Sequence, residues 1–287
     1  MSIARIVLFA AALTAVGHLA STASAAGYNL RGPGPQIGET IRSESETTMT
    51  DGTMDIKSGT FQLAGKTDMT LRNVTETTIL EMDGDTVTKV QLSFISDVQE
   101  QVVEMMGQRN NNVSESPLHG EKVIGTYADG AWSFELAEGD PTPQQLLRLR
   151  TLAENYRYVN KTAIVYPDRE VELGESWEVD ASQLYSHVGV ALSPSGKVIY
   201  TLEKVEEVDG EPLAHLRVVL DYSASMASET NAMMVMKGEG PLVRSLSSHL
   251  DKSSKLKGTM TITMSESEEV EVSMTGAMSV TASEARP

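Results

Sequence analysis

The chain has 287 residues, with 40 Asp and Glu against 23 Lys and Arg, a formal net charge of −17 and no cysteine. A field of that sign repels nucleic acid and anionic headgroups, so nucleic acid is excluded as a partner class. The missing cysteines exclude a disulfide framework and a lipid-anchored form, and a chain this long buries enough surface to fold without disulfides.

Met1 to Arg5 forms a short positive start, Ile6 to Ala20 an apolar run, and Ala23-Ser24-Ala25 a small-x-small cleavage pattern. This reads as a signal peptide over 1–25, with export to a bacterial periplasm or the extracellular space. The apolar run falls short of the ~20 residues a spanning helix needs, and no later run reaches that length. The expectation is a protein that is not membrane-spanning after cleavage. Aromatics at 5% are thin for the two girdles of a transmembrane barrel.

Residues 26–38, with four glycines, Pro33 and Pro35, read as a flexible leader. From Glu39 the dominant signal is period-two alternation rich in Thr, Val, Met and Ile, the mark of strands. Residues 39–283 are read as a single β-rich domain and 284–287 as a tail. Asp83-Gly84-Asp85 predicts a hairpin with a three-residue loop, placing Val74 opposite Phe94 and Thr78 opposite Val90. Val98 to Met106 is a weaker helical candidate. Val123–Tyr127 and Trp132–Leu136 pair through Asp129-Gly130.

One helix stands out at about 143–157. Thr142 caps it, Pro143 suits its first position and Gln145 completes a capping box. Leu146, Leu149, Ala153 and Tyr156 then form one apolar stripe, which must cover part of a sheet. Asp209-Gly210-Glu211 predicts a second three-residue hairpin loop, with Leu202 opposite Val218, Tyr200 opposite Leu220 and Val198 opposite Tyr222. Its apolar rhythm matches that of the hairpin at Asp83, which suggests two similar halves, about 39–140 and 162–283, joined by the helix. At the C-terminus, alternation around a polar turn at 265–269 pairs Met264 with Val270, Ile262 with Val272, Met260 with Met274 and Gly258 with Gly276. That glycine pair marks a bend or bulge in the sheet.

Chemical motifs are sparse. His119, His187, His215 and His249 lie in separate segments without ligand spacing, so neither a metal nor any other cofactor is expected. His215, on the face opposite Leu216 and Val218, reads as solvent-exposed. Asp83/Asp85 and Asp209/Glu211 offer too few ligands for calcium. Gly174-Glu175-Ser176 lacks the second glycine of a nucleophile elbow, and Ser254-Lys255-Leu256-Lys257 stands without the companions that give S-x-x-K meaning. The acidic groups Glu170, Glu172, Glu175, Glu178 and Glu266, Glu268, Glu269, Glu271 read as solvated edges and turns. Arg244, Lys252, Lys255 and Lys257 read as a charged strand edge.

Methionine is the unusual residue, 15 against 4 Phe. Flexible, polarizable side chains at alternating strand positions either fill a β core or line a concave face open to varied apolar ligands. On the second reading the candidate site for a lipid or acyl chain is Met236, Met260, Ile262, Met264, Met274 and Met278, joined by Leu149 and Tyr156 of the helix.

The stretch Val171-Glu172-Leu173-Gly174-Glu175-Ser176-Trp177-Glu178-Val179, followed later by Asp209-Gly210-Glu211 and Leu213-Ala214, resembles a recurrent pattern in exported bacterial proteins of unknown function. The resemblance covers about 40 residues and implies no activity. In architecture the long alternating strands with a covering helix are similar to periplasmic lipoprotein-carrier half-barrels. The fold class read from the sequence is therefore mainly β, an antiparallel curved sheet or half-barrel of two similar halves with one prominent helix. The functional expectation is a non-enzymatic envelope protein binding a hydrophobic ligand. The alternative is a structural module that binds another envelope protein, and a hydrolase with an unrecognised site is the third class.

Overall fold

The computed structural model describes residues 27–156, 158, 161–184, 191–226, 231–267 and 270–287. The export segment 1–25, residue 157 of the expected helix, His187, Glu268 and Glu269 lie outside them. Alternation folds into β1 (Thr40–Ser58), β2 (Phe61–Asp83), β3 (Thr86–Met105), β4 (Gln108–Glu115), β5 (Lys122–Ala128) and β6 (Ala131–Leu136). After helices α1 (Pro143–Asn155) and α2 (Lys161–Val165) come β7 (Ser176–Asp180), β8 (Ala191–Val208), β9 (Glu211–Met226), β10 (Asn231–Ser245), β11 (Asp251–Ser267) and β12 (Val270–Ala285). The fold is mainly β: one twelve-stranded, curved, open antiparallel sheet ordered β6-β5-β3-β2-β1-β12-β11-β10-β9-β8-β7, with β4 beside β3.

That order has a consequence for the connections. The first and last strands pair in the middle of the sheet, from Arg42 opposite Ala285 to Ser58 opposite Val270. The two ends of this order are β6 and β7, joined in sequence by the helical segment, and β4 forms a further edge beside β3.

The hairpins form where expected, with shorter loops and shifted registers. Asp209 and Gly210 both adopt positive φ, 52° and 80°, as a two-residue type I′ turn requires. Leu202 therefore faces Leu216, Tyr200 faces Val218 and Val198 faces Leu220, two residues from the expected partners, with an irregularity between Leu202 and Lys204. At the first hairpin Ile79 faces Val90 and Thr75 faces Phe94, one residue from expectation. In the C-terminal hairpin Met264 faces Val272, Ile262 faces Met274 and Met260 faces Gly276, because Ser265/Ser267 is irregular and the ladder continues to Val270. A shift of two leaves side chains on their expected face, whereas the one-residue shift at the first hairpin puts Thr75 and Ile79, not Val74 and Thr78, on the buried face. The Asp129-Gly130 hairpin has the expected register, Tyr127 opposite Trp132.

Other expectations are corrected. Val98 to Met105 is the far half of β3, paired to β2 on one side and β4 on the other, and cross-strand hydrogen bonds outweigh its weak helical spacing. α1 has its capping box: Gln145 N donates to Thr142 Oγ1 at 3.2 Å and Thr142 N donates to Gln145 Oε1 at 2.9 Å. It ends at Asn155, and its buried stripe is Leu149, Leu152 and Tyr156, whereas Leu146 is 40% exposed. The leader is docked at its start. Tyr28 bridges Val171, and Leu30 is fully buried in the apolar cluster that holds Val165 of α2, Tyr166, Val171 and Leu216.

Three apolar clusters follow from this arrangement. α1 packs on β2, β3, β5 and β6 around Phe94, Trp132 and Tyr156. Residues from the end of α2 onward pack on β7 to β10 around Tyr166 and Leu216. The third cluster lies farther along the long strands and is dominated by methionine. Above it, glycines of neighbouring strands meet. Gly258 faces Gly238, and a Cβ on Gly258 would lie 1.8 Å from the Lys237 carbonyl. Gly276 stands opposite Met260, and a Cβ on it would lie 2.9 Å from Gly52 Cα. The expected Gly258–Gly276 pair does not form, but each of these glycines stands where a neighbouring backbone comes close.

Candidate functional site

Six of the eight expected ligand residues come together. Met260, Ile262, Met274 and Met278 are buried, and Met236 and Met264 half-buried, in one cluster with Met49, Met54 and Met69. They share the inner face by parity of register. This face is concave: Gln101 of β3 donates from Nε2 to Met274 Sδ of β12 at 3.5 Å, although three strand spacings in a flat sheet are about 14 Å. Neither helix contributes a residue to the cluster. Half-buried Val103, Met105, Met234, Met236, Met264 and Val272 form its margin.

Leu149 and Tyr156 are not part of that face. Tyr156 packs edge-on against Trp132 at 4.9 Å and Phe134 at 5.0 Å, in the cluster that also holds Leu149. The reason is reach. The 13 residues of α1 span about 20 Å, while strands of 19 and 23 residues run roughly 60–75 Å. One helix covers one end of such a sheet and leaves the other to its own side chains.

A second group was not anticipated. Arg244, read as part of a charged edge, is fully buried because β10 and β11 are interior strands. Its Nη1 bonds Asp251 Oδ1 at 2.7 Å, its Nε donates to the Leu30 carbonyl at 2.7 Å, and its guanidinium lies 3.8 Å from the Tyr166 ring centroid. The Tyr166 hydroxyl donates to Asp251 Oδ1 at 2.6 Å. Lys161 Nζ bridges Asp251 Oδ2 at 2.9 Å and Glu284 Oε1 at 2.8 Å, and Asp251 N donates to Glu284 Oε2 at 3.1 Å. Leader, α2, β10, β11 and β12 thus meet at one carboxylate.

The electrostatics follow from that geometry. Burial pushes the Asp251 carboxyl up, but Lys161, Arg244 and the Tyr166 hydroxyl outweigh it and hold it down at about 2. Burial alone would lower the Lys161 ammonium pKa; Asp251 and Glu284 reverse this and raise it above the ordinary value. Tyr166 stays protonated, chiefly through burial and then through Asp251. With every charge matched, the cluster acts as a lock between helix layer and sheet. Part of the signal was available in the sequence, since Arg244 has the inward parity of Leu242; its cross-strand pairing with Asp251 was not.

The histidines have separate surroundings. His119 Nδ1 accepts from Asp97 N at 3.3 Å. His215, expected in solvent, is half-buried with Nε2 at 2.9 Å from Glu206, its diagonal neighbour across the β8–β9 ladder. Among the described residues no group of three His, Asp or Glu is placed to hold a metal, and no helix is long and apolar enough to cross a membrane.

No family model matches the chain, and no curated protein matches it. Among solved structures it is similar to a lipovitellin studied for its lipid–protein interactions, at 9% identity and TM-score 0.35 over 85% of this chain and 25% of that one. The chain thus spans about a quarter of lipovitellin's length. A domain from Vibrio parahaemolyticus, described as an outer membrane lipoprotein-sorting protein, is similar at 8% identity and TM-score 0.19, covering 82% of this chain and 84% of that one. A DUF1329 family protein from Desulfovibrio piger ATCC 29098 is similar at 9% identity and TM-score 0.15, covering 83% of each chain.

Proposed function

We propose that this is an exported, non-enzymatic envelope protein that binds a hydrophobic ligand, a lipid or acyl chain, on its methionine-lined inner face. The observation that carries the reading is a concave apolar surface with no helix residue in its cluster, rimmed by half-buried methionines. Unbranched thioether side chains re-pack at low cost, so a chain entering from the rim can displace Met236 and Met264 without breaking a ladder. Burial of eight to ten methylenes at about 0.8 kcal/mol each yields roughly 6–8 kcal/mol, enough to offset much of the association cost. Export rests on the segment 1–25.

The test is direct. Delipidated protein titrated with a fluorescent fatty acid is expected to bind it stoichiometrically, and the double variant Met236→Glu, Met264→Glu to lose at least ~10-fold in affinity with its circular dichroism unchanged. Failure of the delipidated protein to bind any fluorescent fatty acid sinks the reading.

One observation favours the second reading, an interaction module. β4 is exposed along its whole length and, among the described strands, pairs with β3 alone. An edge of this kind accepts a strand from a partner. Crosslinking in envelope extract is then expected to capture a defined envelope protein, and proline substitutions along Asn110–Val113 to abolish its capture. A capture pattern indifferent to those prolines rules this reading out.

A further inference from the structure

The turn that joins β3 to β4 breaks a rule that its counterparts keep. Among the described residues three hairpins turn through two consecutive residues of positive φ: Met106-Gly107, Asp129-Gly130 and Asp209-Gly210. Type I′ turns of this kind favour Asn, Asp or Gly at the first position, because a larger side chain strains against the backbone at left-handed φ. Two of the three carry Asp there. The third carries Met106, at φ 52° and 82% exposed. Strain that burial within the fold does not offset points to a contact made outside the chain.

A second apolar residue stands at the same end of the sheet. β2 begins with Phe61, 57% exposed, just after the β1–β2 turn. Gly65 faces Met105, so Phe61 lies roughly 13 Å beyond the level of Met105 along the strand. It has the parity of Leu63, which faces Ile56 of the methionine cluster, and so continues the inner face to its mouth. Both tips are uncharged. Ser58 to Gly65 and Met105 to Gln108 hold no Asp, Glu, Lys or Arg in a chain of which 22% is charged, so the tips can leave water without desolvating an ion. Behind them Lys66, Glu104 and Arg109 lie side by side across β2, β3 and β4, all exposed, with one net positive charge.

We infer that these two hairpin tips dock on a membrane surface, Phe61 and Met106 entering the interface of a phospholipid bilayer while Lys66 and Arg109 meet its phosphates. The surface is zwitterionic. The net charge of −17, with Glu266, Glu268 and Glu269 between Met264 and Val270, repels an anionic one. A second copy of the chain is a poorer occupant: two side chains of about 200 Å² each fall well short of the roughly 800 Å² per partner of a stable dimer. The docking needs no chain on the methionine face, so vesicle binding and fatty-acid titration can fail separately.

Flotation of the exported chain with phosphatidylcholine vesicles tests this. The protein is expected to float with them, and no better when phosphatidylglycerol is mixed in at equal amount. Phe61→Gln is expected to weaken vesicle binding about 10-fold and Met106→Asn about 5-fold, as for side chains partly withdrawn from lipid. Met106→Asn also relieves the turn, so its urea midpoint should rise while its vesicle binding falls, a pairing that misfolding cannot produce. Leu147, 61% exposed, lies on α1 at the other end of the sheet, and Leu147→Gln should leave vesicle binding as it was. No flotation with phosphatidylcholine, binding that requires phosphatidylglycerol, binding indifferent to both Phe61→Gln and Met106→Asn, a lowered urea midpoint in Met106→Asn, or an equal loss in Leu147→Gln would each overturn the assignment.

Discussion

Asp251 is the residue on which the helical end of the molecule depends. It neutralises a fully buried guanidinium and a half-exposed ammonium at once, and it accepts the Tyr166 hydroxyl. Asp251→Asn leaves Arg244 buried without a counter-charge, and removing one partner of such a pair costs about 3–5 kcal/mol. Urea denaturation at pH 7 is expected to show a loss of that order. The pH dependence has a definite sign. The folded pKa of about 2 lies below the ~3.9 of an unfolded aspartate, so the contribution is complete above about pH 5 and is lost as pH falls toward 2. Lys161 is shifted upward, so its share persists through that range and does not compensate. The urea midpoint should therefore fall from pH 5 to pH 2 in the natural protein, and less steeply in Asp251→Asn; equal slopes would remove Asp251 from the lock. Strand parity alone made Arg244 legible as an inward residue, since it follows Leu242 by two. What parity could not supply was its counter-ion from β11, its carbonyl partner at Leu30, or the Lys161 that a helix brings from above.

At the scale of single elements, a clear period-two pattern specifies which side chains face inward and leaves register free by steps of two; the Thr-rich β2, where alternation is weak, slipped by one instead. That is why the strands and the inner face were readable while the partners of Leu202, Met260 and Met264 were not. Each irregularity, at Leu202/Lys204, at Ser265/Ser267 and at Met49/Gly52, adds or removes a residue that alternation does not record. Val98–Met105 failed as a helix for a related reason: its fate is set by β2 and β4, which are remote in sequence. The glycines at close backbone approaches allow a quantitative test of this packing. Gly84 sits in an open turn at φ 57°, where alanine meets nothing within 4 Å and pays only the left-handed strain of about 1 kcal/mol. Gly258→Ala drives a methyl into the Lys237 carbonyl and the Gly238 backbone, and overpacking of this kind costs typically 1–3 kcal/mol. Urea midpoints should rank natural protein, Gly84→Ala and Gly258→Ala in descending stability, and a reversed order would mean that the inner glycines are not at a close backbone approach.

The whole molecule is organised by the pairing of its first strand with its last. β1 to β6 lie on one side of the β1–β12 seam and β7 to β12 on the other, yet the seam itself is a ladder from Arg42/Ala285 to Ser58/Val270. Two halves sharing so long a ladder cannot separate without exposing a full strand edge on each side, so they should unfold as one cooperative unit. The two tryptophans allow the point to be tested, because each reports on a different half. Trp132 is buried against α1 in the first, and Trp177 donates from Nε1 to the Val165 carbonyl at 2.6 Å in the second. Replacing Trp177 by Phe removes that bond and part of a buried ring, a loss of about 1–3 kcal/mol confined in space to the α2 end. In the Trp177→Phe protein only Trp132 remains as a fluorescent indole. If the seam couples the halves, Trp132 fluorescence should report a urea midpoint lowered by that full amount, coincident with circular dichroism, although Trp132 belongs to the other cluster. A Trp132 transition that stays at its original midpoint while circular dichroism falls in two steps would show that the halves unfold separately and that the seam is a weak joint.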